Sequence, residues 1–323
     1  MKSIQYEKTK TYLALSAAMV FWGLSFVATK IALESFSTFI LIFGRFALAS
    51  CLFAGILAYR GLPSFSRREH MRVFLIALFE PGLYFVFETL GLQHTTAPKA
   101  ALIIATTPAA VTVLGAFLLS ERPSLENLLG IGLSLVGITV LVAGDPQLNW
   151  RFGGPVLGDL LIFGAVLSAT LYIVNARDLG RNRSPLEITS LQVLYGAVFY
   201  TPAFFWELPS MNWSAVSGHS VGALIYLTLF ATIGAFFCYN YALATVPASR
   251  AAVFINGIPV VTAAASWPLL GEKLTLIQAG GGLLVLFSVF ITNFPPLRKT
   301  PKILLGFLLN SRARGVRDSG ILS

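Results

Sequence analysis

Glu80, Tyr84 and Glu88 stand in one apolar run at i, i+4 and i+8, so a helix formed by that run carries all three on one face. Carboxyl groups in such a setting can exchange a proton or hold an amine, and the tyrosine between them adds a hydroxyl and a ring. An ionisable side chain inside a membrane helix costs roughly 2.5 to 3.5 kcal/mol on insertion scales, which makes both glutamates functional candidates. At about 1.5 Å rise per residue, Glu80 lies about 18 Å from the end of its run at Leu92 and Glu88 about 6 Å. On the same rise Arg45 is about 10 Å, and Lys30 about 5 Å, from the matching ends of the two preceding runs. Glu88 is therefore level with both cations, and an Arg45/Glu88 ion pair is expected. Glu80, followed by Pro81 and Gly82, has no basic residue at its own depth and is the leading candidate for a protonatable or substrate-facing group.

Other residues qualify by position. Pro108 and Pro259 fall in the middle of two apolar runs, where a proline interrupts the helix and frees backbone groups, so they are read as a pair of hinges. Thr106, Thr107, Thr112 and Asn256 lie beside them and can offer hydrogen bonds to a bound solute, although threonine often bonds its own helix instead. Trp22, Tyr172, Tyr239, Asn240, Tyr241 and Trp267 are candidates to contact a ligand, against the alternatives of packing or an interface belt. Gln192 aligns with Arg45 at an offset of 147 residues, so the second half of the chain lacks the cation of the first, which suits a polar solute without strict symmetry. Glu121 and Glu272 precede Arg122 and Lys273 at run ends, where each is expected to cap the following helix. Catalytic signatures are missing: there is no His-Glu-x-x-His, no Gly-x-Ser-x-Gly and no phosphate-binding Gly-x-x-x-x-Gly-Lys. His70, His94 and His219 fall at run ends or in loops, and Cys51 and Cys238 are read as packing residues. No metal, cofactor or enzymatic activity is expected. A channel or a lipid scramblase is the alternative to a carrier.

These candidates sit in a chain whose solvent is the bilayer. Of 323 residues 56% are apolar and only 11% charged, with a mean hydropathy of +0.76, against about 25% charged in soluble domains. A helix needs about 20 apolar residues to cross the hydrocarbon, and the sequence offers ten such runs. They are Thr11 to Leu33, Thr38 to Tyr59, Met71 to Leu92, Ala97 to Leu119, Leu125 to Ala143, Leu157 to Ala176, Glu187 to Trp206, Val221 to Leu243, Arg250 to Leu270, and Thr275 to Asn293. With both termini cytoplasmic, 18 of the 23 basic residues face inside, and only Lys30, Arg45, Lys99, Arg151 and Lys273 do not. That asymmetry follows the positive-inside rule, so the net charge of +9 records topology and not a nucleic-acid partner. A basic tail, 295–323, is expected to lie at the inner headgroup surface.

Shifted by 151 residues, His94 to Val142 aligns with Thr245 to Asn293 without a gap. Pro108 meets Pro259, Glu121-Arg122 meets Glu272-Lys273, and Gly130 meets Gly281. Each half, 11–144 and 155–294, holds five runs, and an odd number makes the second copy enter from the opposite side. The expected fold is thus all-α: a polytopic membrane protein of ten transmembrane helices in two inverted five-helix repeats. Small residues Gly130, Ser134 and Gly137, matching Gly281, Val285 and Ser288, provide close-approach faces within the chain or, alternatively, in a homodimer.

The doubled pattern resembles the EamA family of the drug/metabolite transporter superfamily. Its first copy is Gly91-Leu92, Ala97, Ala100-Ala101, Pro108, Leu118-Leu119-Ser120-Glu121-Arg122 and Gly130. The second is Ala242-Leu243, Ala248, Ala251-Ala252, Pro259, Leu269-Leu270-Gly271-Glu272-Lys273 and Gly281. Phe21-Trp22-Gly23, Phe26, Lys30 and Arg45 add to the likeness, which spans about residues 11 to 294. The resemblance implies an inner-membrane carrier or exporter of small metabolites, such as amino acids or drugs, that works by alternating access. Neither Glu80 nor Glu88 belongs to the family pattern.

Overall fold

The computed structural model describes residues 2–61, 63–118, 125–144, 154–179, 183–246, 251–252 and 254–293. Glu121, Arg122, Arg151, Arg250 and the tail 295–323 lie outside the described residues. Every regular element among the described residues is a helix, as expected where lipid offers no partner to backbone N–H and C=O groups. Seven helical stretches are long and apolar enough to cross a membrane, and three shorter apolar helices accompany them: Gly132–Ala143, Phe254–Leu270 and Leu276–Ser288.

In chain order the helices are α1 (Lys2–Leu33), α2 (Thr38–Arg60), α3 (Arg67–Ala77), α4 (Tyr84–Leu92), α5 (Ala97–Ile104), α6 (Thr107–Leu118) and α7 (Leu125–Ala143). There follow α8 (Pro155–Leu179), α9 (Pro185–Glu207), α10 (Gly218–Tyr226), α11 (Ala235–Thr245), α12 (Ile258–Leu270) and α13 (Leu276–Asn293). Helix α1 is central and packs on α10, α11 and α12; α2 lies on α9, α4 on α8, and α7 on α13. The last pair approaches closely because it is built of small residues. A Cβ on Gly281 would stand 2.6 Å from the Leu141 backbone nitrogen and 2.8 Å from the Gly137 carbonyl. The small-residue faces seen in the sequence are thus spent on packing within the chain.

Several helix starts are capped from far along the chain. Glu207 Oε2 accepts from Ser37 Oγ at 2.6 Å and from the Phe39 and Ile40 N–H groups at 2.8 and 3.2 Å, neutralising the exposed donors at the start of α2. Glu272 accepts from the Ala97 N–H at 2.8 Å, at the start of α5, and pairs with Lys30. The expected role of Glu272 as cap of the following helix is corrected here. Thr275 and Gln278 cap α13 between themselves, through Thr275 N to Gln278 Oε1 (2.9 Å) and Gln278 N to Thr275 Oγ1 (3.1 Å). At the other end of α12, Gly271 adopts φ +67, the left-handed conformation that closes a helix without a Cβ clash.

Four helical stretches are broken in mid-course. The stretch Arg67–Leu92 carries a π-helical segment, Leu78–Leu83, in which Glu80 takes the extended angles φ −143, ψ 112. Gly218–Thr245 carries another, Leu227–Gly234. At an offset of 151 residues, 78–83 falls on 229–234, so both interruptions occupy the same place in the repeat. The stretch holding α5 and α6 breaks at Ala105 and Thr106, just before Pro108, and α12 is preceded by a 3-10 turn, Phe254–Gly257, just before Pro259. The two prolines therefore sit in the first turn of a new helix, where a proline is tolerated.

Candidate functional site

Three of these breaks, at 78–83, before Pro108 and before Pro259, border a cavity of about 30 Å³, room for one or two water molecules. Helix α1 contributes Trp22, Ser25 and Phe26; the break at 78–83 contributes Glu80; and α4 contributes Tyr84, Phe85 and Glu88. Thr107, Tyr172 and Tyr239 face it from α6, α8 and α11, and isoleucines complete the wall. Glu80, Tyr84 and Glu88, spaced i, i+4 and i+8, line the cavity together across the break. Trp22 and Tyr239 bring their ring centroids to 5.0 Å, and Trp22 and Phe236 meet edge to face at 5.8 Å.

The two carboxyl groups differ in surroundings. Glu80 is buried, and among the described residues no hydrogen bond or ion pair reaches its carboxyl; only its backbone carbonyl is engaged, by Gln192 Nε2 at 2.6 Å. Glu88 is 1% exposed, and its Oε2 has no hydrogen-bond partner. The expected Arg45/Glu88 ion pair does not form. Arg45 Nε instead donates to Thr232 Oγ1 at 2.9 Å, in the break of the stretch Gly218–Thr245, and its guanidinium stacks over Phe85 at 4.3 Å. The physical reason is competition: the π segment turns Thr232 toward α2, and the face of Phe85 shelters the planar cation. Arg45 thus lies behind the cavity wall, acting on Glu88 electrostatically but without contact.

Lys30, expected at the level of Glu88, is held by Glu272, and Lys99, another cation expected on that side, forms an ion pair with Asp159 Oδ2 at 2.7 Å. Thr95 Oγ1 donates to Asp159 Oδ1 at 3.0 Å. Sequence reasoning missed Asp159, four residues into α8, because a single acid near a helix start reads as an ordinary terminal charge.

Further candidates serve the scaffold or lie off the cavity. Thr106 Oγ1 donates to the Ile103 carbonyl at 2.7 Å and Thr107 Oγ1 to the Ile104 carbonyl at 2.6 Å. Ile104 is the acceptor that Pro108 cannot serve, so Thr107 replaces the hydrogen bond lost to the proline. Thr106 lines a separate apolar groove, not the cavity, and Asn256 is outside the cavity lining, with its side-chain oxygen buried and unpartnered. Gln192, fully buried, also lies outside the lining. It joins a relay in which Tyr172 Oη donates to Asn240 Oδ1 (2.8 Å), Asn240 Nδ2 to Gln192 Oε1 (3.3 Å), and Gln192 to the Glu80 carbonyl. Tyr200 Oη bonds the Pro81 carbonyl at 2.8 Å and also reaches that of Gly82. The orphaned acceptors of the first break are thereby satisfied from α9, as a broken membrane helix requires. Outside the spans, Arg183 holds Glu69 through two bonds of 2.7 and 2.9 Å, which push the guanidinium above its usual range.

Apolar helices in this number, broken around a carboxylate-bearing cavity, define an integral membrane protein of the transporter class. The chain belongs to the EamA-like transporter family, whose model matches residues 9–143 and again 156–294. An uncharacterized transporter of Archaeoglobus fulgidus is 28% identical over 288 residues, covering 87% of this chain and 98% of that protein. The uncharacterized transporter YetK of Bacillus subtilis is 27% identical, covering 87% and 86%. A WAT1-related chloroplastic protein of Arabidopsis thaliana is 24% identical, covering 87% and 69%. A protein of known crystal structure superposes with a TM-score of 0.63 at 16% identity, over 88% of this chain and 96% of that one, and shares the fold.

Proposed function

We propose that the protein is a secondary transporter of small polar metabolites, of the amino-acid or drug/metabolite efflux type, working by alternating access around the Glu80 cavity. On this reading ten spans in two inverted repeats, 11–144 and 155–294, cross the inner (plasma) membrane, and both termini are cytoplasmic. The tail 295–323 then lies on the cytoplasmic side. Support comes from the two segments matched by the family model, from breaks that recur at an offset of 151 residues, and from the basic-residue asymmetry. The carrying observation is the buried Glu80 carboxyl, free of hydrogen bonds and facing a small aromatic cavity. Such a group can take a proton or an amine of the solute as the cavity opens to one side and then the other. A cavity this small favours a carrier over an open pore.

The test is an efflux and growth screen of an expressing strain against amino acids, amines and toxic analogues, followed by flux in proteoliposomes across a pH series. Glu80→Gln, isosteric and neutral, is expected to reach the membrane and fold yet lose pH-dependent flux. Full flux with the wild-type pH profile would remove Glu80 from the mechanism.

A further inference from the structure

The charged groups in and behind the cavity wall leave one negative charge unbalanced. With both carboxyls ionised, Glu80 and Glu88 carry two negative charges, and Arg45, over Phe85, supplies one positive charge. Lys30 and Lys99 are committed elsewhere, to Glu272 and Asp159. From the elements packed around the carboxyls come Tyr84 of α4, Tyr172 of α8, Tyr200 of α9 and Tyr239 of α11, all phenols uncharged near neutral pH. Gln192 and Asn240 are neutral. An uncompensated charge in a dry interior is strongly disfavoured, so the closed cavity requires one more positive charge.

Two further features point to a ligand. Glu88 Oε2 and Tyr239 Oη are both buried in side chains 1% exposed, both belong to the cavity wall, and neither has a hydrogen-bond partner. The remainder of the wall is largely aromatic, with Trp22, Tyr84 and Tyr172 presenting rings. Ring faces attract organic ammonium ions and offer nothing to an anion.

We propose that the site around this cavity binds one monovalent organic cation when it opens and one proton when it is closed to its present volume, never both, with Arg45 as a fixed countercharge to Glu88. The proposal rests on the transporter reading for its consequence, which is one-for-one exchange of cation for proton without net charge movement. An anion would meet two carboxylates, and the carboxylate of a zwitterionic amino acid would find no cation lining the cavity, since Arg45 is screened by Phe85. The favoured solute class is therefore a singly charged aromatic or aliphatic amine.

Binding to the full-length protein in detergent tests this apart from transport. Phenyltrimethylammonium and the smaller tetramethylammonium are suitable probes, because their charge is independent of pH. Isothermal titration in two buffers of different ionisation enthalpy counts the protons released. The expected result is release approaching one proton per cation at the acidic end of the range pH 5 to 9. Affinity should rise by up to about tenfold per pH unit before levelling off where the site is already deprotonated. 3-Phenylpropionate and phenylalanine should not compete. Glu80→Gln should abolish proton release; if that variant is unstable, the wild-type pH dependence decides alone. Failure of both quaternary probes to bind, affinity unchanged from pH 5 to 9, or preferential binding of phenylalanine or 3-phenylpropionate would each overturn the proposal. Binding with proton release but without counterflow in proteoliposomes would uphold the site and overturn the transport reading.

Discussion

Lys30 and Lys99 are each matched by a carboxylate, Glu272 and Asp159, and the matches have different energetic weights. Lys99 is fully buried, and its ion pair with Asp159 joins α5 to α8. Removing one partner of a buried pair leaves the other uncompensated, a loss of about 3–5 kcal/mol. Lys99→Met should therefore lower the melting temperature in detergent sharply, and Lys99→Met with Asp159→Leu should recover most of it. A single variant that melts with the wild type would show the pair to be energetically idle. Glu80 is the contrasting case, since nothing is bonded to its carboxyl and its neutral amide should leave the melt unchanged. At this scale the sequence was informative about residue type and depth and poor about partners. Glu80 and Glu88 were found by their spacing. Arg45 with Thr232, Lys30 with Glu272 and Lys99 with Asp159 are separated by 187, 242 and 60 positions, distances over which helix periodicity carries no signal.

The broken helices explain why the polar candidates divided between cavity and scaffold. A break frees carbonyl groups that lipid cannot satisfy, so nearby hydroxyls and amides are consumed locally: Thr107 by Ile104, Gln192 by Glu80, Tyr200 by Pro81. Proline marked two of the breaks in advance. The segment Leu227–Gly234 was not legible, because Thr232 stands where the first copy has Pro81, and a threonine in an apolar run reads as uninterrupted helix. Pro108→Ala restores an N–H that can reach the Ile104 carbonyl, and combining it with Thr107→Val removes the competing hydroxyl. The double variant should straighten the stretch and slow flux at matched expression more than either single change. Equal rates for all of them would make the break a passive feature of packing.

Across the whole molecule the two halves are tied together at the helix ends and through the middle. Glu272 of the second half caps α5 of the first and holds Lys30 of α1, while Glu207 caps α2. The relay from Tyr172 through Asn240 and Gln192 to the Glu80 carbonyl crosses three helices to reach the first break. An opening that moves one half against the other must break or carry along these contacts, so the orientation of the halves decides which latch faces which side. The proposed inverted orientation is what five spans per half and the distribution of basic residues would give. It is tested at repeat-equivalent positions that are both exposed, His94 and Thr245, related by the 151-residue offset. Exposed Cys51 and half-buried Cys238 must first be replaced by alanine. In sealed, right-side-out vesicles, His94→Cys should react with a membrane-impermeant maleimide, whereas Thr245→Cys should react only after permeabilisation. Labelling of both from one side would require the halves to run parallel, which would overturn the proposed inverted repeat.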